Sequence, residues 1–169
     1  MTYLIWLLRI VHIVGGVIWV GGTLTMAFFI APTVGATAEA GQKFIGHLMG
    51  NLKFSNRMSA AAGITILAGF ILYWIDSDGF TSAWMSSGAG RGFGIGAAFA
   101  LIGFILGTLV GRTTQAMAAL GAQFQGKPSP AQLAQMQSLR KRQASYANSS
   151  AAMLIIALVF MAIARYLVF

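Results

Sequence analysis

The chain has 169 residues, 57% of them hydrophobic and 8% charged, where an ordinary soluble domain carries about 25% charged residues. With a mean hydropathy of +0.76 it reads as a membrane protein, and at ~20 apolar residues per helical span it holds four spans and no separate soluble domain. The net charge of +8 does not point to nucleic acid, because the basic residues are spread between spans rather than gathered with aromatic residues on one surface. The absence of cysteine excludes disulfides, thiolate metal sites and cysteine redox chemistry.

Unpaired backbone groups in lipid cost several kcal/mol each, so a span must be helical or part of a closed barrel. The long continuous apolar runs predict an all-α protein: a bundle of four transmembrane helices forming a single integral membrane domain over residues 1–169. The first run, Tyr3 to Ile30, has no basic leader and no convincing small-residue cleavage site, and is read as a retained span. At 100° per residue Ile5, Arg9, His12, Gly16, Trp19 and Thr23 fall within one narrow arc of it. An arginine at the centre of a membrane helix costs on the order of 2.5–3.5 kcal/mol, so polar partners are expected opposite this face.

After Pro32, the stretch Glu39 to Arg57 places Phe44, Ile45, Leu48, Met49 and Leu52 at helical spacing and predicts an interfacial amphipathic helix. His47 lies in it at headgroup level, with a metal or proton site as the functional alternative. The second span, Met58 to Ile75, opens with Ala60, Ala61, Ala62 and Gly63, which let helix backbones approach closely. A second stripe carries Ala62, Thr65, Gly69, Leu72 and Asp76, the last being one of three acidic residues. Ser77 to Gly90 reads as a loop with Trp84 at the headgroup level.

The third span, Gly92 to Gly111, contains Gly92-Phe93-Gly94-Ile95-Gly96, which lacks the preceding strand that a nucleotide fingerprint needs. Its Gly103, Gly107, Gly111 ladder predicts close helix packing. Arg112 to Gln125 reads as a helical extension into water, ended at Gly126-Lys127-Pro128-Ser129-Pro130. Ser129 and Pro130 form a cap and first-turn pair, so a final helix is expected from there to Leu167. Its membrane part begins near Tyr146, with Leu154, Leu158, Met161 and Arg165 on one stripe.

Eight of the eleven basic residues, among them Lys43, Arg57, Arg112, Lys127 and Arg140, fall in the first and third connections. By the positive-inside rule these face the cytoplasm of a bacterial-type inner membrane, with both termini and the Asp76 to Gly90 loop outside. Arg9, Arg91 and Arg165 lie at the outer ends of spans. At ~1.5 Å per residue Arg9 and Arg165 share one depth, with His12 and Met161 about a turn deeper.

A basic rim above a ligand pair suits a b-type haem. Imidazole or thioether sulfur binds iron, here from His12 and Met161, while Arg9, Arg91 and Arg165 pair with the propionates. Gly16, one turn below His12, leaves space for a flat macrocycle. Copper is the alternative cofactor, since histidine and methionine both bind it and Met26, Met153 and Met161 lie in the spans. A structural alternative also stands: the arginines snorkel, Asp76 pairs with Arg91, His12 hydrogen-bonds another helix, and the chain is a non-catalytic accessory subunit of a membrane complex. Expected partners are the lipid bilayer, a membrane redox complex or further copies of the chain, and no nucleic acid.

The run H-I-V-G-G-V-I-W-V-G-G from His12 to Gly22, the four-span layout and the closing Met161-Ala162-Ile163-Ala164-Arg165-Tyr166 resemble the copper-resistance-D-like integral membrane proteins and their uncharacterised relatives. More distantly they resemble the J-type membrane protoporphyrinogen oxidases. The first resemblance implies metal movement across the inner membrane, the second a haem-bearing enzyme of tetrapyrrole synthesis. In both, the first-span histidine corresponds to His12. The oxidases also carry an arginine shortly after the Trp-Gly segment and a lysine in a later span. Here Thr25 to Ile30 has no arginine and no span contains lysine.

Overall fold

A computed structural model describes residues 2–81, 83–124 and 126–168. Among them the fold is all-α, with four helices long and apolar enough to cross a membrane. The first is longer than its apolar run. Helix α1 (Thr2–Thr25) passes through a π turn at Met26–Ile30 directly into α2 (Ala31–Ala36). Pro32 lies in the first turn of α2, where its ring would clash with a carbonyl one turn back in a continuous α-helix and where it offers no N–H. Widening the helix just before Pro32, where the Ala31 N–H bonds to the Met26 carbonyl, relieves that conflict.

The predicted interfacial helix is shorter than its amphipathic run. Helix α3 (Ala38–Gly50) packs beside α2 and stops because Lys53 takes a left-handed conformation at φ 49°. Residues 54–57 therefore open the second span, α4 (Phe54–Asp76). Exposed His47 stays on α3, away from the other polar membrane residues.

The third span also begins early. Helix α5 (Gly88–Ala122) is capped by Ser87, whose Oγ accepts from the Gly90 N–H at 3.2 Å. It runs unbroken through Arg112, so the predicted span and its watery extension are one helix of about 52 Å at 1.5 Å per residue. Helix α6 (Pro130–Ile163) starts at the expected cap, with Gln132 completing a capping box, and tightens into a 3₁₀ turn at Ala164–Tyr166.

These helices pack as two close pairs, α1 with α4 and α5 with α6. Gly15 sets the first contact: a Cβ there would come 2.6 Å from Thr65 Oγ1. Gly103 sets the second, with Leu154 where its side chain would be and the buried Ser150 hydroxyl donating to its carbonyl at 2.8 Å. The expected ladder is only partly an interface. A Cβ on Gly107 would reach Ser150 Oγ at 3.9 Å, an ordinary contact, and one on Gly111 would meet nothing within 4 Å. The close packing runs the other way along α5, through Gly96 against Met161 and Gly92 against Ala164. Further out, Gln143 donates to Thr114 Oγ1 at 2.7 Å and ties the extensions together.

The two pairs meet in a small core of Trp19, Val20, Ala61, Ala62 and Leu154. Trp19 lies edge-on to Phe104 there, with ring centroids 6.2 Å apart. From that junction toward the end holding both termini, the pairs part.

Candidate functional site

The parting of the pairs leaves a cavity of about 1090 Å³. Its floor is Trp19 with Thr65 and Ala100, and its α5 wall combines the small residues Ala89, Gly94 and Ala97 with Phe93 and Leu101. Arg9 and His12 face it from α1, Gly69 and Asp76 from α4, Met161 from α6 and Arg165 from the 3₁₀ turn after it, with Arg9, Asp76 and Arg165 exposed at the rim. The α4–α5 loop roofs it with Phe80 and Trp84, above Tyr73.

His12 is held on two sides. A Cβ at position 69 would lie 2.6 Å from its Cε1 and 2.8 Å from its Nδ1, so the ring rests where only glycine leaves room. Nδ1 lies 2.8 Å from the Thr65 carbonyl oxygen. Since a carbonyl can only accept, Nδ1 carries the proton, and in the neutral ring the lone pair is at Nε2. This is the bond to a second helix that the structural alternative expects. It is equally the outer hydrogen bond that orients a ligating imidazole. Thr65 itself is tied back by its hydroxyl to the Ala61 carbonyl at 2.8 Å, which keeps the platform under His12 rigid.

The roof is built by local strain and aromatic packing. Asp78, Gly79 and Phe80 have φ of 48°, 70° and 67°, a conformation that glycine and aspartate tolerate and that costs Phe80 about 1–2 kcal/mol. Phe80 is thereby turned onto Trp74, Phe70 and Tyr73, with ring centroids 5.0, 5.9 and 6.0 Å away. The fully buried Ser77 holds the turn, its Oγ accepting from the Phe80 N–H at 3.1 Å. Tyr73 donates to the Gly90 carbonyl at 3.1 Å and meets Trp84 edge-on.

Of the residues singled out from sequence, Arg9, His12, Met161 and Arg165 share this one cavity. Gly16 does not line it, because α4 crosses there and a Cβ on Gly16 would meet Thr65 Cγ2 at 3.6 Å; Gly69 instead seats the His12 ring, and Ala89, Gly94 and Ala97 leave room on α5. Arg91 is exposed outside the cavity. Asp76 does not pair with it: among the described residues the ion pair found joins Glu39 and Lys43 at 2.8 Å. Tyr73, Phe80 and Trp84 were not anticipated as site residues. The aromatic density around the loop was their only signal in the sequence.

Among the described residues no three His, Cys, Asp or Glu side chains gather as a metal site. What the cavity offers is one oriented imidazole, a thioether, two guanidiniums, one carboxylate and a largely apolar wall. Comparisons with protein-family models, curated proteins and solved structures find no match to this chain.

Proposed function

We propose that the cavity binds a b-type haem and that the protein has a redox or electron-transfer role in the membrane. The observation carrying this reading is His12: Nδ1 bonds to the Thr65 carbonyl, and the ring faces a cavity with Arg9 and Arg165 on its walls. A volume of about 1090 Å³ lies just above the usual range for ligand sites, roughly 300–1,000 Å³, which suits a tetrapyrrole better than a small solute. The donor set fits as well. A bare ion must find several ligands in the protein, whereas haem brings its own four nitrogens and asks for one or two more.

In this reading His12 would hold the iron, with Met161 the candidate second ligand, and Arg9 and Arg165 would pair with the propionates. The aromatic roof would cover part of the bound group. A bound haem would supply one-electron chemistry, with a potential set by its ligands and by nearby charge. By the positive-inside rule the site opens near the outer leaflet. The distant resemblance of His12 to Gly22 to the J-type oxidases accords with this reading, and the resemblance to the copper-resistance-D-like proteins accords with copper handling. Copper handling is the second reading, favoured by the thioether of Met161 beside the same cavity.

An absorption spectrum of the purified protein tests the proposal. A Soret band with reducible visible bands is expected, and His12→Ala should lose the pigment. Met161→Leu should shift the spectrum if Met161 is the second ligand, and an unchanged spectrum returns it to packing. A colourless protein that takes up no added haemin would leave the accessory-subunit reading in its place.

A further inference from the structure

The cavity has sides as well as a roof. Ile13, Phe70 and Leu101 line it, yet they are 62%, 56% and 46% exposed. All three lie well inside apolar spans: Phe70 is about 9 Å along α4 from Asp76, and Leu101 about 15 Å along α5 from Arg91. At 100° per residue Phe70 falls between cavity-lining Tyr73 and outward Trp74, and Leu101 between cavity-lining Ala97 and outward Ile105. Ile13 likewise falls between Arg9 and outward Val17. Each therefore marks an edge where the cavity wall turns into the outer surface of the bundle. Phe70 and Leu101 flank the α4–α5 seam, and Ile13 borders the α1–α6 seam. Over the end of the bundle Phe80 and Trp84 are packed onto Tyr73, with Phe80 still 41% exposed; the end therefore offers a second way in, and quenching from lipid against quenching from water decides the route.

We infer that the cleft is a lateral slot that takes its ligand from the bilayer, and that the ligand is an amphipathic anion with its apolar body between the helix pairs and a carboxylate or phosphate head at Arg9 and Arg165. Charge selects the head: two guanidiniums face the cavity against the single carboxylate of Asp76. The side walls select the body, being apolar down to Trp19. A tetrapyrrole carrying propionates and a fatty acid share this chemistry. The tetrapyrrole as occupant rests on the haem reading, but the route does not.

The test uses the buried Trp19 as a reporter. The chain has four tryptophans, and Trp6→Phe/Trp74→Phe/Trp84→Phe leaves Trp19 alone. In phosphatidylcholine vesicles brominated along the acyl chain, Trp19 should lose most of its fluorescence, while acrylamide in the water should quench it little. Quenching by acrylamide without quenching by brominated lipid would overturn the slot. In unbrominated vesicles dibromostearic acid should quench several-fold more strongly than its methyl ester, and Arg9→Gln/Arg165→Gln should abolish the difference. Equal quenching by acid and ester would overturn the anionic ligand. Displacement of the acid by haemin assigns the slot to the tetrapyrrole, and failure to displace it assigns the slot to the fatty acid; either outcome supports the amphipathic class.

If the triple tryptophan variant does not fold, Ala100→Cys in the otherwise cysteine-free chain serves instead. Pyrene maleimide dissolved in the membrane should label it, and a charged thiosulfonate confined to water should not; the reverse pattern overturns the route. A colourless protein whose Trp19 is quenched by lipid keeps the slot and loses the haem. A pigmented protein whose Trp19 answers only to acrylamide does the opposite.

Discussion

Replacing Gly69 with alanine probes the seat of His12 with a single methyl group. That methyl would lie 2.6 Å from His12 Cε1 and 2.8 Å from Nδ1, closer than carbon tolerates, so the imidazole must tilt away from the Thr65 carbonyl. Overpacking of this kind costs about 1–3 kcal/mol, and the lost hydrogen bond about 1 kcal/mol more. Alanine's better helix propensity returns about 1 kcal/mol, leaving a net loss of about 1–3 kcal/mol. Gly63→Ala, on the same helix, is the control. Nothing lies within 4 Å of a Cβ there, so propensity alone acts, and a gain of up to about 1 kcal/mol is expected. Unfolding in mixed micelles followed by circular dichroism measures both, and the visible spectrum of Gly69→Ala reports on the imidazole. Equal stability of the two variants, with an unaltered spectrum, would refute the seating of His12 on Gly69.

Four further outcomes are expected. Gly103→Ala should destabilise the protein by about 1–3 kcal/mol through Leu154, whereas Gly107→Ala should be tolerated; detergent melting curves separate them. Arg9→Gln or Arg165→Gln should weaken haem retention or shift the reduction potential while His12 still binds, read by haem transfer to apomyoglobin and by redox titration. Reporter fusions after residue 169 should be located outside, and cytoplasmic activity would reverse the topology assigned from the eight-to-three distribution of basic residues. Cu(I) should bind weakly to the haem-free protein; tight stoichiometric binding abolished by His12→Ala would put copper ahead of haem.

Much of the wall of this cavity was legible in the sequence because it follows single-helix periodicity. Arg9 and His12 share an arc of the first span, Met161 and Arg165 share one of the last, and the stripe of Thr65, Gly69, Leu72 and Asp76 on the second lines the cavity between them. That His12 rests on Gly69 was not legible, since the contact depends on how far two helices slide past each other. Gly16 shows the same limit: its position under His12 was read correctly, but the crossing of α4 fills the space. The loop roof was hidden for a different reason. Asp78-Gly79 marks a turn in the sequence, but Phe80, an aromatic residue that ordinarily avoids the left-handed conformation, gives no sign that it extends the turn and folds back over the helices. Nor does the sequence around Pro32 show that a π turn carries the helix past it.

The thin junction between the helix pairs has a mechanical consequence. Each pair is locked internally, by Gly15 on Thr65 in one and by Ser150 on Gly103 in the other, while a core of five buried residues joins the pairs at mid-length and the Tyr73 hydrogen bond to the Gly90 carbonyl bridges them at the roof. Such a molecule is two stiff levers with a main pivot and one light clasp, and the ligand-free protein should come apart in halves. A ligand gripped by both levers acts as a keystone at the far end from the pivot. It turns two weakly joined units into one, so occupancy should register as a single sharp unfolding transition where the empty protein shows two.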